Sequence, residues 1–234
     1  MTDTAKNQIT IILATGNRDK VRELRPLLEN ISPLFRVFAL HEIGVNVDIE
    51  ETETTLEGNA LLKARAIFNL LAERYSFMIA LADDTGLEVE CLNGAPGVYS
   101  ARYAPMPAGE SPTYKDNVKH LLQSMNGIAN RAARFRTVLA MKGSLPSPQG
   151  SFLFEDTADG VVHGSITPEP RGDAGFGYDP LFLVDSTGKT YAEMSMAEKN
   201  ALSHRSLAVQ KAIASLKDIL AAHGIPSTVT NAPL

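Results

Sequence analysis

The chain carries a single cysteine, Cys91, in 234 residues. A lone thiol excludes an intramolecular disulfide and any zinc site built on several cysteines. Long basic runs are missing too: 22 Lys and Arg stand against 27 Asp and Glu, for a formal net charge of −5. A grip on DNA or RNA that ignores base sequence comes from basic side chains neutralising phosphates, so no direct nucleic-acid binding is expected. No apolar run approaches bilayer-spanning length, and the start Met-Thr-Asp-Thr-Ala-Lys-Asn has no apolar signal region. The expectation is a soluble, cytoplasmic protein without a membrane partner. Internal repeats and low-complexity blocks are also lacking.

What remains is ordinary globular composition. At 44% hydrophobic and 21% charged, the chain has material for a sizeable core in one large or two small domains. Ile9-Thr10-Ile11-Ile12-Leu13-Ala14 is β-branched and almost wholly apolar, as a strand buried on both faces would be. Thr15-Gly16-Asn17 then signals a turn. Val21, Leu24, Leu27, Leu28 and Ile31 follow at helical spacing, with Pro26 expected to kink that helix. A second helix is expected from about Thr55 to Glu73, capped by Thr54 or Thr55. The pattern continues with a strand at 77–82, Gly/Pro-rich loops to about 112 and a helix at about 113–125. Two β-rich runs at 134–142 and 150–159, a strand at 180–184 and a helix at 204–222 complete it. This order argues an α/β or α+β fold, with residues 92–112 as a candidate hinge between lobes and 225–234 as a flexible tail.

Four stretches are candidates for chemistry. Thr15-Gly16-Asn17-Arg18-Asp19-Lys20 joins a strand to a helix start, where free N–H groups and the helix dipole favour a phosphate; the alternative is a plain connection. Glu50-Glu51-Thr52-Glu53 precedes the second helix and reads either as a solvated acidic loop or as a source of one metal-binding carboxylate. Leu81-Ala82-Asp83-Asp84-Thr85-Gly86-Leu87 places two carboxylates after a buried strand. Burying them is costly without a compensating cation, so the stretch is an acidic turn or a metal site. Mg²⁺ suits such a site, since it is bound through one or two carboxylates plus substrate phosphates. Finally, Gly175-Phe176-Gly177-Tyr178-Asp179 and Lys199…Ser203-His204-Arg205 offer a stacking aromatic and basic groups near a helix N-terminus. The spacing predicts a bend between Lys199 and a helix opened by Ser203. Together these features indicate a nucleoside triphosphate as ligand.

The segments LATGNRDKVREL (13–24), EETETTLEGNALLKARA (50–66), LADDTGLEVECLNGAPGVYSARY (81–103), GDAGFGYDPLF (172–182) and EMSMAEKNALSHR (193–205) resemble the inosine triphosphate pyrophosphatase family. They stand in the family's order and span nearly the whole chain. The resemblance implies one domain of two lobes with a cleft between them, built on a long mixed β-sheet flanked by helices. It also implies a homodimer, Mg²⁺ as cofactor, and hydrolysis of non-standard purine triphosphates (dITP, ITP, XTP) to monophosphate and pyrophosphate. Carried over, Thr15, Gly16, Asn17, Arg18, Asp19 and Lys20 would bind the triphosphate. Glu50 and Asp84 would hold Mg²⁺, with Asp84 also the proton acceptor and Asp83 in support. Thr85, Phe176, Gly177, Tyr178, Asp179, Lys199, His204 and Arg205 would contact substrate, chiefly its base and sugar, while Lys63 and Arg102 would reach phosphates. Two positions depart from the family pattern: Glu53, where Gly is common, and Gly58, where Glu-Asn is usual.

Overall fold

The computed structural model describes residues 8–29, 35–147 and 150–225. Strand β1 (Ile9–Leu13) is followed by helix α1 (Arg18–Glu29), strand β2 (Phe35–Ala39) and helix α2 (Leu56–Leu71). Then come β3 (Met78–Val89), β4 (Pro96–Gly97), α3 (Tyr114–Ser124) and the long strands β5 (Ala132–Ser147) and β6 (Gly150–Ile166). The chain ends with β7 (Phe182–Val184), α4 (Met196–Leu202) and α5 (His204–Ala222). The strands follow the order β2-β1-β3-β5-β6-β7, with β4 pairing β3. β1 is parallel to β2 and β3, whereas β3–β4 and β6–β7 are antiparallel. The sheet is therefore mixed, as expected.

The chain divides into two compact units, each assembled from separate segments. The first comprises residues 1–84, 138–159 and 205–234. Its core joins Ile9, Ile11 and Leu13 of β1 to Leu24 and Leu28 of α1, Leu139 and Met141 of β5, and Ala208, Ala212 and Leu216 of α5. The second comprises 85–137 and 160–204, with a core of Leu87, Val89, Leu121, Phe135, Phe182 and Tyr191. The alternation of apolar residues at helical spacing in α1 and α5 is what turns one face of each helix to this interior. Among the described residues no helix is long and apolar enough to cross a membrane. Of the expected tail at 225–234, all but Ile225 lies outside the described residues.

Several elements differ from their sequence reading. β3 does not stop at 82 but runs on through Asp83, Asp84, Thr85 and Gly86 to Val89, so the acidic turn is excluded. β5 and β6 are likewise longer than the apolar runs that announced them. Helix α1 continues through Pro26. Gly86 explains part of the β3 extension. A Cβ there would lie 2.7 Å from the Gly97 carbonyl oxygen, so only glycine lets β4 close against this strand. Gly86→Ala is expected to destabilise by about 1–3 kcal/mol, because backbone cannot yield as a side chain does. A Cβ at Gly16 meets nothing within 4 Å, so Gly16→Ala serves as the neutral control. Urea unfolding of both variants measures the contrast; equal midpoints would refute it.

Candidate active site

In the first unit, Asp83 and Asp84 sit side by side on β3, and successive strand residues face opposite sides. Their partners separate accordingly. Asp84 Oδ1 accepts from Lys63 Nζ at 3.0 Å, and its Oδ2 accepts from Asn59 Nδ2 at 3.4 Å. Asp83 Oδ2 instead accepts from Arg205 Nε and Nη2 at 3.2 and 3.1 Å and pairs with Lys20 Nζ at 3.2 Å. Arg205 Nη1 also donates to buried Glu23. Burying these charges is tolerable because each carboxylate has a cation in contact.

Their environments push the two aspartates apart. Burial raises the Asp84 carboxyl above its ordinary range, with Glu51 adding to this and Lys63 and Lys20 opposing it. Burial also acts to raise Asp83, but Lys20, Arg205 and Lys63 overcome it and hold that group well below the usual carboxylate range. Lys20 is lowered, chiefly by burial, with the charges of Lys63 and Arg205 adding to it against Asp83. For Lys63 burial is outweighed by Asp84, Asp83 and Glu51, which raise the amine. Adjacent carboxyls tuned in opposite senses are a common arrangement where one of them moves a proton.

The acidic loop contributes through a different residue from the one expected. Glu51 is half-buried and accepts from Lys63 Nζ at 2.8 Å, whereas Glu50 is exposed. Two carboxylates, Glu51 and Asp84, thus converge on one ammonium. Asn59 locks the loop in place: its Oδ1 accepts from Glu53 N at 3.0 Å while its Nδ2 reaches Asp84. Glu53 and Gly58, the two departures from the family pattern, prove to be one exchange. The Glu53 Cβ lies 2.7 Å from where a Cβ on Gly58 would stand, so the larger residue fills the room the smaller one leaves.

The Thr15–Lys20 turn has its side-chain oxygens engaged locally. Asn17 Oδ1 caps α1 by accepting from Asp19 N and Lys20 N, and Thr15 Oγ1 accepts from Asn17 N. Asp19 pairs with Arg22, and Arg18 is exposed. Lys20 alone of this stretch reaches the carboxylates, also donating to the Asp83 carbonyl oxygen at 3.3 Å.

In the second unit, Asp179 organises the glycine-rich loop. Its Oδ2 accepts from Phe176 N at 2.8 Å and from Lys199 Nζ at 2.6 Å. Gly175 and Gly177 take positive φ of 75° and 63°, which turns the loop so that Phe176 stands half-buried at its tip. Lys199 Nζ lies 5.2 Å from the Phe176 ring centroid, and the Tyr114 ring 5.7 Å. Tyr178 does not share this exposure: it is buried, with its hydroxyl donating to the Ser100 carbonyl at 3.0 Å, and belongs to the core. The predicted bend is present, since Ser203 is extended between α4 and α5. His204 opens α5, stacked on Phe135 at 4.7 Å, while its Nδ1 contacts Thr137 Oγ1. Thr137 in turn contacts Thr85.

Three assignments therefore change. Arg205 is turned to Asp83 and Glu23, Asp83 is engaged by Arg205 and Lys20, and Arg102 is exposed over the Tyr99 ring at 5.3 Å. Sequence reasoning passed over Glu23, Glu51 as the inward acid, Asn59 and Thr137. The only signal for Glu23 was its place three residues after Lys20, on the same face of α1.

Residues 11–215 match the model of the Ham1 family. The chain belongs to the Ham1 family. A Chlorobaculum tepidum dITP/XTP pyrophosphatase is 57% identical over 219 residues, which is 93% of this chain and 97% of the relative. A Clostridium tetani dITP/XTP pyrophosphatase is 42% identical over 90% of this chain and 98% of its own length. Among solved structures, the Staphylococcus aureus Ham1 protein superposes with a TM-score of 0.74 at 35% identity, covering 90% of this chain and 99% of that one. A Coxiella burnetii HAM1 protein gives 0.73, also at 35%, with 90% and 100% coverage. The mixed α/β architecture is thus that of the Ham1 structures.

Proposed function

We propose that this Ham1 protein hydrolyses non-standard purine nucleoside triphosphates, dITP, ITP and XTP, to the monophosphate and pyrophosphate, keeping them out of DNA and RNA. The observation that carries the chemistry is Asp84: a buried carboxyl with raised proton affinity, held by Lys63 and Asn59 beside a second carboxylate. The relatives' activity supplies the substrate class.

A divalent cation, Mg²⁺, fits the same residues. Asp84 and Glu51 present oxygens toward one position of positive charge, and two carboxylates plus substrate phosphates are what Mg²⁺ commonly takes. Glu51 replaces Glu50 in this assignment because Glu50 is exposed. When bound, the cation would offset charge on the phosphate oxygens. Asp84 takes a proton from water as the water oxygen bonds to the α-phosphorus. The α–β bridging bond breaks, and its electrons leave with pyrophosphate. Lys20 and Lys63 bring positive charge to the phosphates. Phe176 gives the base a stacking face, and His204 gives it a hydrogen-bonding edge. The enzyme works as a homodimer in this reading, which light scattering of the purified protein checks.

The direct test supplies ITP and Mg²⁺ and separates pyrophosphate from orthophosphate. Pyrophosphate and IMP in equal amounts are expected, with ATP turned over far more slowly and EDTA stopping the reaction. Orthophosphate as the product, or no product, refutes the reading.

A further inference from the structure

Thr137 lies on β5 with no exposed surface. Its Oγ1 stands 2.7 Å from Thr85 Oγ1 and 2.6 Å from His204 Nδ1. A threonine hydroxyl has one proton and can donate to only one of them. Two proton arrangements satisfy the chain. Either Thr85 donates to Thr137 and Thr137 donates to Nδ1, or Nδ1–H donates to Thr137 and Thr137 donates to Thr85. The distance selects between them. Nitrogen donors normally stand about 2.7–3.2 Å from oxygen, and hydroxyl donors about 2.5–3.0 Å from their acceptor. At 2.6 Å the contact lies within the hydroxyl range and short of the other. Nδ1 is then bare, and the His204 ring proton sits on Nε2. The ring cannot turn to exchange its nitrogens without leaving its neighbours: it stacks on Phe135 at 19° between planes and meets Tyr191 at 5.7 Å.

We propose that Thr137 is a positioning residue that fixes the tautomer of His204 and thereby the preference for a 6-oxo purine over a 6-amino purine. The substrate half of this rests on the reading that His204 faces the base; the tautomer half does not. With its proton on Nε2, His204 presents a donor, which matches the 6-oxo oxygen of hypoxanthine or xanthine. The 6-amino group of adenine is itself a donor and would meet another. To accept from it, His204 must carry its proton on Nδ1, and both threonine hydroxyls must reverse. A buried site that leaves such groups mispaired rejects the wrong ligand strongly. Thr85 thus anchors the far end of the chain, which gives its hydroxyl a role beyond direct substrate contact.

The test begins with the free protein. Long-range ¹⁵N–¹H imidazole spectra, taken above the ordinary histidine titration range and assigned against His204→Gln, are expected to show Nε2 protonated and Nδ1 bare. Thr137→Ser keeps the hydroxyl and should keep that spectrum. Thr137→Val keeps the shape but not the donor, and should lose the single tautomer. In turnover, Thr137→Val is expected to lower the ITP-to-ATP ratio of kcat/KM by about tenfold or more through loss of the ITP term, whereas Thr137→Ser stays near wild type. A wild-type or serine-variant His204 protonated on Nδ1 overturns the proposal, and so does a valine variant with an unchanged ratio. Should the valine variant not fold, the wild-type and serine spectra still decide. Should the wild type leave ITP intact, the functional reading fails, while the spectra still report on Thr137.

Discussion

Asp84→Asn is expected to cut pyrophosphate release from ITP by about 10²–10⁴-fold, the range for removing a positioned proton acceptor, and to leave the protein at least as stable as before. The two halves of this expectation have one cause. Asparagine keeps the size of the side chain and can still meet Lys63 and Asn59, so the packing survives. What it loses is the charge that accepts the proton and helps hold the cation. Burial raises the folded-state proton affinity of Asp84, with Glu51 assisting and Lys63 and Lys20 only partly offsetting it. An acid whose folded pKa exceeds its unfolded value binds more protons in the folded state between the two. Stability therefore falls as pH rises from about 3.8 through the raised folded value. Asparagine removes that penalty at neutral pH. Single-turnover assays and urea melts at neutral pH check both halves. Near-normal hydrolysis would remove Asp84 from the chemistry, and a large drop in stability would mean that its charge holds the fold.

The neighbouring carboxylate behaves in the opposite way, and the sequence concealed this. Asp83 and Asp84 are chemically identical letters, and a one-residue step along β3 sends them to opposite faces. Which face holds Lys63 and which holds Arg205 depends on contacts 21 and 122 residues distant. Local patterning carries no such information. It did carry the elements whose cause is local: the β-branched run of β1, the capping Thr55 before α2, and the break at Ser203 that sets α5 to begin at His204. The Gly-Phe-Gly-Tyr-Asp loop was legible as a ligand-facing turn because its glycines are needed for positive φ, but the inward turn of Tyr178 was not. Tyrosine is compatible with either a stacking surface or a core, and only the carbonyl of Ser100, 78 residues away, decides it. The same limit applies to Thr137, an unremarkable strand residue by pattern whose significance appears only with Thr85 and His204 beside it.

Arg205 provides the largest expected effect on stability. Its guanidinium donates to Asp83 through Nε and Nη2 and to Glu23 through Nη1, and all three residues are buried. Replacing it by Leu takes the cation from between two carboxylates without returning them to water. Breaking a buried pair from one side costs about 3–5 kcal/mol. Arg205→Lys should recover only part of this, because a single ammonium cannot serve both acids with the geometry of a fork. The pH dependence identifies the origin of the loss. In the folded wild type, burial opposes the Asp83 charge, yet Lys20, Arg205 and Lys63 hold its pKa far below 3.8. A depressed carboxyl contributes stability that is fully present above the unfolded pKa and is lost as pH falls below it. Without Arg205 that contribution shrinks, leaving less to lose in acid. The gap between Arg205→Leu and wild type in urea unfolding should therefore be widest near neutral pH and narrow below about pH 4. A gap of constant size would assign the loss to packing of the long side chain rather than to charge.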